Sequence, residues 1–237
     1  MKKGARIMRL DKYLSECGIC SRSEASRACR GGGVTVNGKT VKSAAFAVDE
    51  EKDRVVYLSR EVVWRRFTYV MLNKPAGYVS STEEGGKTVM TLLPAEFSKM
   101  GMFPCGRLDR DTLGLLLITN DGQSAHRLLS PKKHVLKRYR YRLTLPLSGE
   151  GGARLEAGVD IGGYVTAPAK LYPYDAQSGE IEISEGKYHQ IKRMFHAVGT
   201  EICSLERIAF GPLALDPELE RGSWRYLTDG EIAALVE

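Results

Sequence analysis

No apolar run of about eighteen residues, the length a bilayer-spanning helix needs, occurs in this 237-residue chain. Also missing are a G-x-G-x-x-G turn after a strand, a phosphate loop of the G-x-x-x-x-G-K-S/T kind, internal repeats and low-complexity tracts, so no dinucleotide or nucleoside-triphosphate cofactor is expected. Five cysteines, odd in number and scattered, do not suit a disulfide framework and fit a reducing compartment. Cys17, Cys20 and Cys29 lack a fourth ligand at zinc spacing, so no metal is expected. The basic opening from Met1 to Met8 has no apolar signal segment, and a cytoplasmic, non-membrane protein is expected.

What is present is unevenly spread. Over residues 1–60, 13 lysines and arginines face 7 acidic residues, whereas residues 61–237 carry 22 of each. The formal net charge of +6 therefore sits in the first quarter of the chain. Such asymmetry suits an N-terminal segment that faces a polyanion, although a merely solvated basic face has the same composition. The length exceeds the usual single-domain size, which favours one small and one larger domain.

In the first segment Leu10, Tyr13, Leu14 and Cys17 recur at helical spacing and stop at Gly18. Ser21 with Glu24 forms a capping box for a second helix carrying Arg22, Arg27 and Arg30. Val34-Thr35-Val36 alternates as a strand and meets the hairpin turn Asn37-Gly38, and Val55 to Leu58 closes the unit. Residues 59–67 read as a linker. Tyr69 to Leu72 then opens a second domain as a buried strand ended by Asn73-Lys74-Pro75. Its helical patterns are Gln123 to Leu129, a set at Ile191, Met194, Phe195 and Val198, and a last one capped by Thr228 with Glu231. Short Val-, Ile-, Tyr- and Leu-rich strands between them predict an α+β protein with a largely antiparallel sheet.

Three constellations carry chemistry. Gly106-Arg107-Leu108-Asp109-Arg110-Asp111-Thr112-Leu113-Gly114 puts the Asp109 carboxylate between two arginines at the mouth of the apolar strand Leu115 to Ile118. A carboxylate held ionised by cationic neighbours can serve as nucleophile or base, and spacing alone suits a surface salt bridge equally well. From Lys137 onward Tyr139, Tyr141, Leu143 and Leu145 alternate with Arg138, Arg140 and Arg142. That pattern fits a strand offering aromatics to bases and arginines to phosphates, or a sheet with buried tyrosines and a charged outer face. Glu185-Gly186-Lys187-Tyr188-His189-Gln190-Ile191-Lys192-Arg193-Met194 feeds a glycine turn into a basic helix start, where His189 suits a capping or RNA-contact role better than catalysis.

These motifs bear a family resemblance. Gly-Arg-Leu-Asp followed by Asp-Thr-x-Gly-Leu-Leu-Leu-x-Thr-Asn-Asp-Gly resembles the signature of the RNA pseudouridine synthases that modify ribosomal RNA, and Tyr188-His189-Gln190-Ile191-Lys192-Arg193-Met194 resembles the form typical of their bacterial small-subunit branch. Arg9 to Leu14, Ser21 to Ala25 and Val34 to Gly38 resemble the S4 RNA-binding domain. The resemblance implies an S4-like domain over 8–58 and a synthase domain over 68–237. It implies that Asp109 is catalytic, that Tyr139 stacks on the target uracil, that Lys192 is the cation paired with Asp109, and that Leu205 packs in the uracil slot. Arg107 would fill the space left by the extruded base. Arg9, Lys12, Ser21, Arg22, Arg27, Arg30 and Lys39, with Arg193 in the synthase domain, are the implied RNA contacts. Two positions depart from the family: Gly33 replaces a common basic residue, and Leu113 a small polar one.

The implied activity is isomerisation of one uridine of 16S ribosomal RNA, as free RNA or in a partly assembled small subunit, by a monomer needing no cofactor. The nearest alternatives are a 23S rRNA synthase and a non-enzymatic S4-type assembly factor. A hydrolase built on Asp109 and His189 has only those two residues behind it.

Overall fold

The computed structural model describes residues 7–65, 67–83, 86–130 and 133–236. The basic opening Met1 to Arg6 and Arg66 lie outside the described residues. The chain divides into two compact units, Met1–Thr68 with Leu93–Met102, and Tyr69–Leu92 with Phe103–Glu237.

The first unit contains β1 (Ile7–Arg9), α1 (Leu10–Glu16), α2 (Arg22–Arg30), β2 (Val34–Val36), β3 (Lys39–Thr40), β4 (Ala47–Asp49), β5 (Val55–Tyr57) and β6 (Arg60–Val62). The apolar side of both helices closes over the sheet: Leu10, Tyr13, Leu14, Ala25, Cys29, Val34, Val48 and Val55 are buried together. Each such aliphatic side chain contributes about 2 kcal/mol by leaving water. Ser21 caps α2 as expected, its hydroxyl accepting from the Glu24 amide at 3.3 Å while Glu24 accepts from the Ser21 amide at 2.7 Å. Asn37 and Gly38, at φ +52° and +78°, make the tight turn their sequence demands.

The linker expectation is corrected here. Residues 60–62 form β6, paired antiparallel with β5 through a turn in which Leu58 and Ser59 both hold positive φ, +46° and +68°. Neither residue type announces that conformation, which is why the hairpin is invisible in the sequence. Tyr13 then anchors the segment, donating to the Val62 carbonyl at 3.0 Å and accepting from the Trp64 amide at 3.2 Å. The boundary of the second domain also shifts, because Leu93–Met102, with α3 (Ala95–Lys99), groups with the first unit. Gly18 makes that packing possible: a Cβ there would lie 2.8 Å from the Glu96 carbonyl oxygen.

The second unit runs β7 (Tyr69–Lys74), β8 (Phe103–Pro104), β9 (Leu113–Thr119), α4 (Gly122–Leu129), β10 (Lys137–Leu143), α5 (Gly149–Ala157), β11 (Lys170–Pro173), β12 (Ser178–Ile183), α6 (Gln190–Ala197), β13 (Ile202–Phe210), β14 (Leu213–Ala214), β15 (Trp224–Tyr226) and α7 (Asp229–Val236). Its sheet has the order β11-β12-β10-β13-β9-β7-β15, with β14 beside β13 and β8 beside β9. Every pairing is antiparallel except β13 with β9. The α+β reading with a largely antiparallel sheet therefore holds. Helix α5 went unread because Gly149, Gly151 and Gly152 disguise it; Ser148 starts it by accepting from the Gly151 amide at 3.0 Å.

The single parallel junction fixes the mouth of β9. Gly114 sits there at φ +95°, and a Cβ would meet the Arg207 carbonyl oxygen at 2.3 Å. Gly114→Ala is expected to lower stability by about 3 kcal/mol or more, since backbone strain and overlap with a neighbouring backbone add. Urea unfolding checks this: the midpoint should fall with the slope unchanged.

Candidate active site

The loop from Gly106 to Thr112 leads from β8 into β9 and carries Asp109. Its backbone is held by two buried polar side chains. Ser80 Oγ donates to the Leu108 carbonyl and accepts from the Leu108 amide, both at 3.1 Å. Lys74, fully buried at the end of β7, extends its ammonium to four carbonyls: Pro75 at 3.1 Å, Asp109 at 3.0 Å, Arg110 at 3.2 Å and Thr112 at 2.8 Å. Burial pulls the Lys74 pKa down to about 8, while Asp111 and Asp109 push it back up. Sequence reading took Lys74 only as the end of a strand. The available signal was a lysine continuing an apolar run, a place where an unpaired charge would be costly.

The Asp109 side chain faces α6. Lys192, in the first turn of that helix, places Nζ 3.1 Å from Asp109 Oδ2 and 2.5 Å from Asp111 Oδ1. Burial works against the Lys192 charge, but the hydrogen bonds to Asp111 and Asp109 outweigh it and hold the pKa above its ordinary value. Asp111 likewise lies below the usual carboxylate range: burial opposes this, and the Lys192 hydrogen bond prevails. Asp111 was not among the expected site residues, and its exposed side chain gives the lysine a second anchor. His189 Nε2 stands 3.6 Å from Asp109 Oδ1, with its ring stacked on Tyr188 at 3.9 Å between centroids. His189 takes the left-handed conformation, φ +49°, which turns the chain into α6.

The partners of Asp109 therefore differ from the neighbours the sequence suggests. Among the described residues no ion pair joins it to Arg107 or Arg110. Arg110 instead donates to the Gly77 carbonyl at 3.3 Å. The cation comes from far along the chain, a relation only the fold creates.

Beside Asp109 a small cavity of about 80 Å³ is walled by Arg107, Tyr139, Ile183, Lys192 and Leu205. Thus five expected residues, Arg107, Asp109, Tyr139, Lys192 and Leu205, meet at one place, with Tyr139 on β10 and Leu205 on β13 largely buried. Tyr141 is elsewhere, packed on Phe195 at 4.8 Å. Two of the three arginines on the reverse of β10 are paired with carboxylates, Arg138 with Glu182 at 3.0 Å and Arg140 with Glu206 at 3.2 Å, and the third, Arg142, is exposed. That face is a charged outer surface.

The expected RNA contacts fare unequally. Arg22, Arg27, Arg30 and Lys39 are exposed, while Arg9 bonds Asp11 at 2.9 Å and Lys12 lies 3.6 Å from Glu16. Ser21 is occupied as the cap of α2, and Arg193 is engaged with the carbonyls of Tyr188 and Ile161.

A carboxylate beside a lysine, against a slot with an aromatic and aliphatic side from Tyr139, Ile183 and Leu205 and a polar side that includes Arg107, Lys187, His189 and Gln190, suits chemistry on a planar base attached to a sugar. Comparison with known proteins agrees. Residues 68–197 match the RNA pseudouridylate synthase family and residues 8–55 the S4 domain. The chain is 46% identical over 236 residues to an uncharacterised RNA pseudouridine synthase of Bacillus subtilis, covering 97% of this chain and 99% of that one. It is 39% identical over 232 residues to ribosomal small subunit pseudouridine synthase A of Escherichia coli K12, covering 97% and 100%. A crystal structure of a pseudouridylate synthase superposes with a TM-score of 0.68 at 38% identity, covering 97% of this chain and all of that one. The chain belongs to the RNA pseudouridine synthase family, as an isomerase with an S4 RNA-binding domain at its N-terminal side.

Proposed function

We propose that this enzyme converts a single uridine of 16S ribosomal RNA to pseudouridine, with Asp109 as the reacting carboxylate and the target base extruded from its helix. The observation that carries the reading is the convergence of Asp109, Lys192, Tyr139 and Leu205 on one cavity, together with likeness to small-subunit synthases over nearly the full chain.

The reaction breaks the C1′–N1 bond, turns the uracil and rejoins it through C5, so no atom is gained or lost and no energy donor is consumed. A stacked base is out of reach of any side chain, so the nucleotide leaves the helix and needs substitute stacking. Tyr139 and Leu205 supply the two apolar faces of the slot, and Arg107 takes the vacated position in the RNA. Asp109 attacks the nucleotide or removes a sugar proton, and Lys192 holds its carboxylate from 3.1 Å. Lysine makes a point-charge contact here, where arginine would make a two-bond fork. The S4-like domain, with exposed Arg22, Arg27, Arg30 and Lys39, supplies sequence-independent affinity for the folded RNA.

Incubation of the purified chain with transcripts of 16S and 23S rRNA tests this. Carbodiimide treatment followed by reverse transcription should give one new stop in the 16S transcript and none in the 23S. A stop confined to 23S would overturn the substrate assignment.

A further inference from the structure

The slot accounts for the base but leaves unexplained a second and larger cavity that adjoins it. This space of about 680 Å³ shares Arg107, Asp109 and Tyr139 with the slot and extends to Lys137 and Arg207. Arg207 is 2% exposed. On β13 it is the register partner of Tyr139 on β10, so it lies directly across the ladder from the stacking tyrosine. Its Nε donates to the Leu115 carbonyl at 2.8 Å and its guanidinium sits 5.2 Å from the Phe210 ring centroid. Its Nη2 is buried and has no hydrogen-bond partner. Lys137, half-buried on the same wall, donates to the Val135 carbonyl at 2.7 Å.

Two cations so placed are unfavourable without an anion. Among the described residues neither makes an ion pair with a carboxylate. Two acids line this cavity: Asp109 is paired with Lys192 at 3.1 Å, and Glu185 accepts from Tyr164 Oη at 2.6 Å, from the Ala167 amide at 2.9 Å and from Gln190 Nε2 at 2.7 Å. Burial pulls the Lys137 pKa down and the Arg207 charge lowers it further; Glu185 pushes it back only in part, leaving an electrostatic cost that a bound anion would relieve. A guanidinium with a free N–H edge and an ammonium beside it match the oxygens of a phosphate.

We propose that Lys137 and Arg207 form a phosphate subsite that holds an RNA backbone phosphate flanking the extruded uridine. The inference rests on the reading that the uridine enters the Asp109 slot. Its role is positioning: fixing one flanking phosphate sets where C1′ stands relative to Asp109.

The test compares uridine 3′,5′-bisphosphate with uridine as ligands of the full chain, by calorimetry. For the wild type, the bisphosphate should bind at least about tenfold tighter, because charge-assisted hydrogen bonds are each worth that much or more. Lys137→Met should lose most of this advantage, and Arg207→Met should too; if the buried Arg207 variant does not fold, the half-buried Lys137 variant decides alone. Arg138→Gln, which removes the same charge from the opposite face of β10, should keep the advantage. Equal binding of the two ligands to the wild type would overturn the proposal, as would an advantage that survives Lys137→Met or falls equally with Arg138→Gln. The readout involves no turnover. A bisphosphate advantage without conversion of any rRNA uridine would leave the subsite standing and sink the parent reading, and conversion without the advantage would do the reverse.

Discussion

Asp109→Asn is expected to reduce turnover about ten-thousandfold or more while RNA affinity and folding stability stay essentially unchanged. Asparagine matches aspartate in size and can still accept a hydrogen bond from Lys192, whose Nζ lies 3.1 Å away. It has no charge with which to attack or to take a proton. Stability should be insensitive because the loop is held through main-chain groups: Lys74 and the Thr112 amide both bond the Asp109 carbonyl, at 3.0 and 3.1 Å. RNA affinity should be insensitive because it derives mainly from basic residues facing phosphates. Single-turnover kinetics with filter binding on the same RNA separates the two quantities. Turnover within tenfold of the wild type would remove Asp109 from the mechanism.

Lys74→Met should slow the chemical step about a hundredfold, the loss that a displacement of roughly 1 Å brings to a reacting group. Methionine fills the volume and bonds none of the four carbonyls that the ammonium gathers, three of them from the Asp109 loop. The same lysine predicts a pH dependence with a definite sign. Burial brings its pKa to about 8, so it carries three donor hydrogens below that pH and two above it. Rising pH therefore withdraws a donor from the loop, and kcat/KM of the wild type should fall as pH passes about 8. Lys192 and Asp111 do not produce this limb, because the Lys192 pKa is raised and that of Asp111 is lowered. The Lys74→Met profile should lack it. A wild-type profile flat to the ordinary lysine range would show that Lys74 keeps its proton and does not set the limb.

The two buried cations explain why this site was only partly legible in the sequence. Local signals were sufficient where the physics is local: the Ser21–Glu24 cap, the Asn37-Gly38 turn, the Thr228–Glu231 cap and the apolar period of α6 all appear in the structure. The run Leu115 to Ile118 was bound to be a buried strand, and it is. By contrast, the cation beside Asp109 was sought in its sequence neighbours, Arg107 and Arg110, while the fold delivers Lys192 from α6. Resemblance to a family named Lys192 where spacing did not. Lys74, Asp111 and Arg207 went unremarked because their significance lies in what surrounds them: four carbonyls, a shared lysine and an unoccupied N–H edge. None of these is a property of the nearby sequence.

The strand β6 and the helix α5 were missed for the opposite reason, since their local signals are misleading. A Leu-Ser turn with two positive φ values looks like ordinary chain, and a glycine-rich helix start looks like a loop. In both places tertiary pairing overrides propensity: β6 completes the small sheet and α5 packs by Leu155 into the larger unit.

The central claim, that this enzyme modifies one small-subunit uridine through Asp109, is tested most directly in cells lacking the gene. Pseudouridine is mapped across both large ribosomal RNAs, with rescue by the wild type or by Asp109→Asn. The account predicts loss of a single 16S pseudouridine, restored by the wild type and not by the variant. An unchanged map, or restoration by Asp109→Asn, would contradict it.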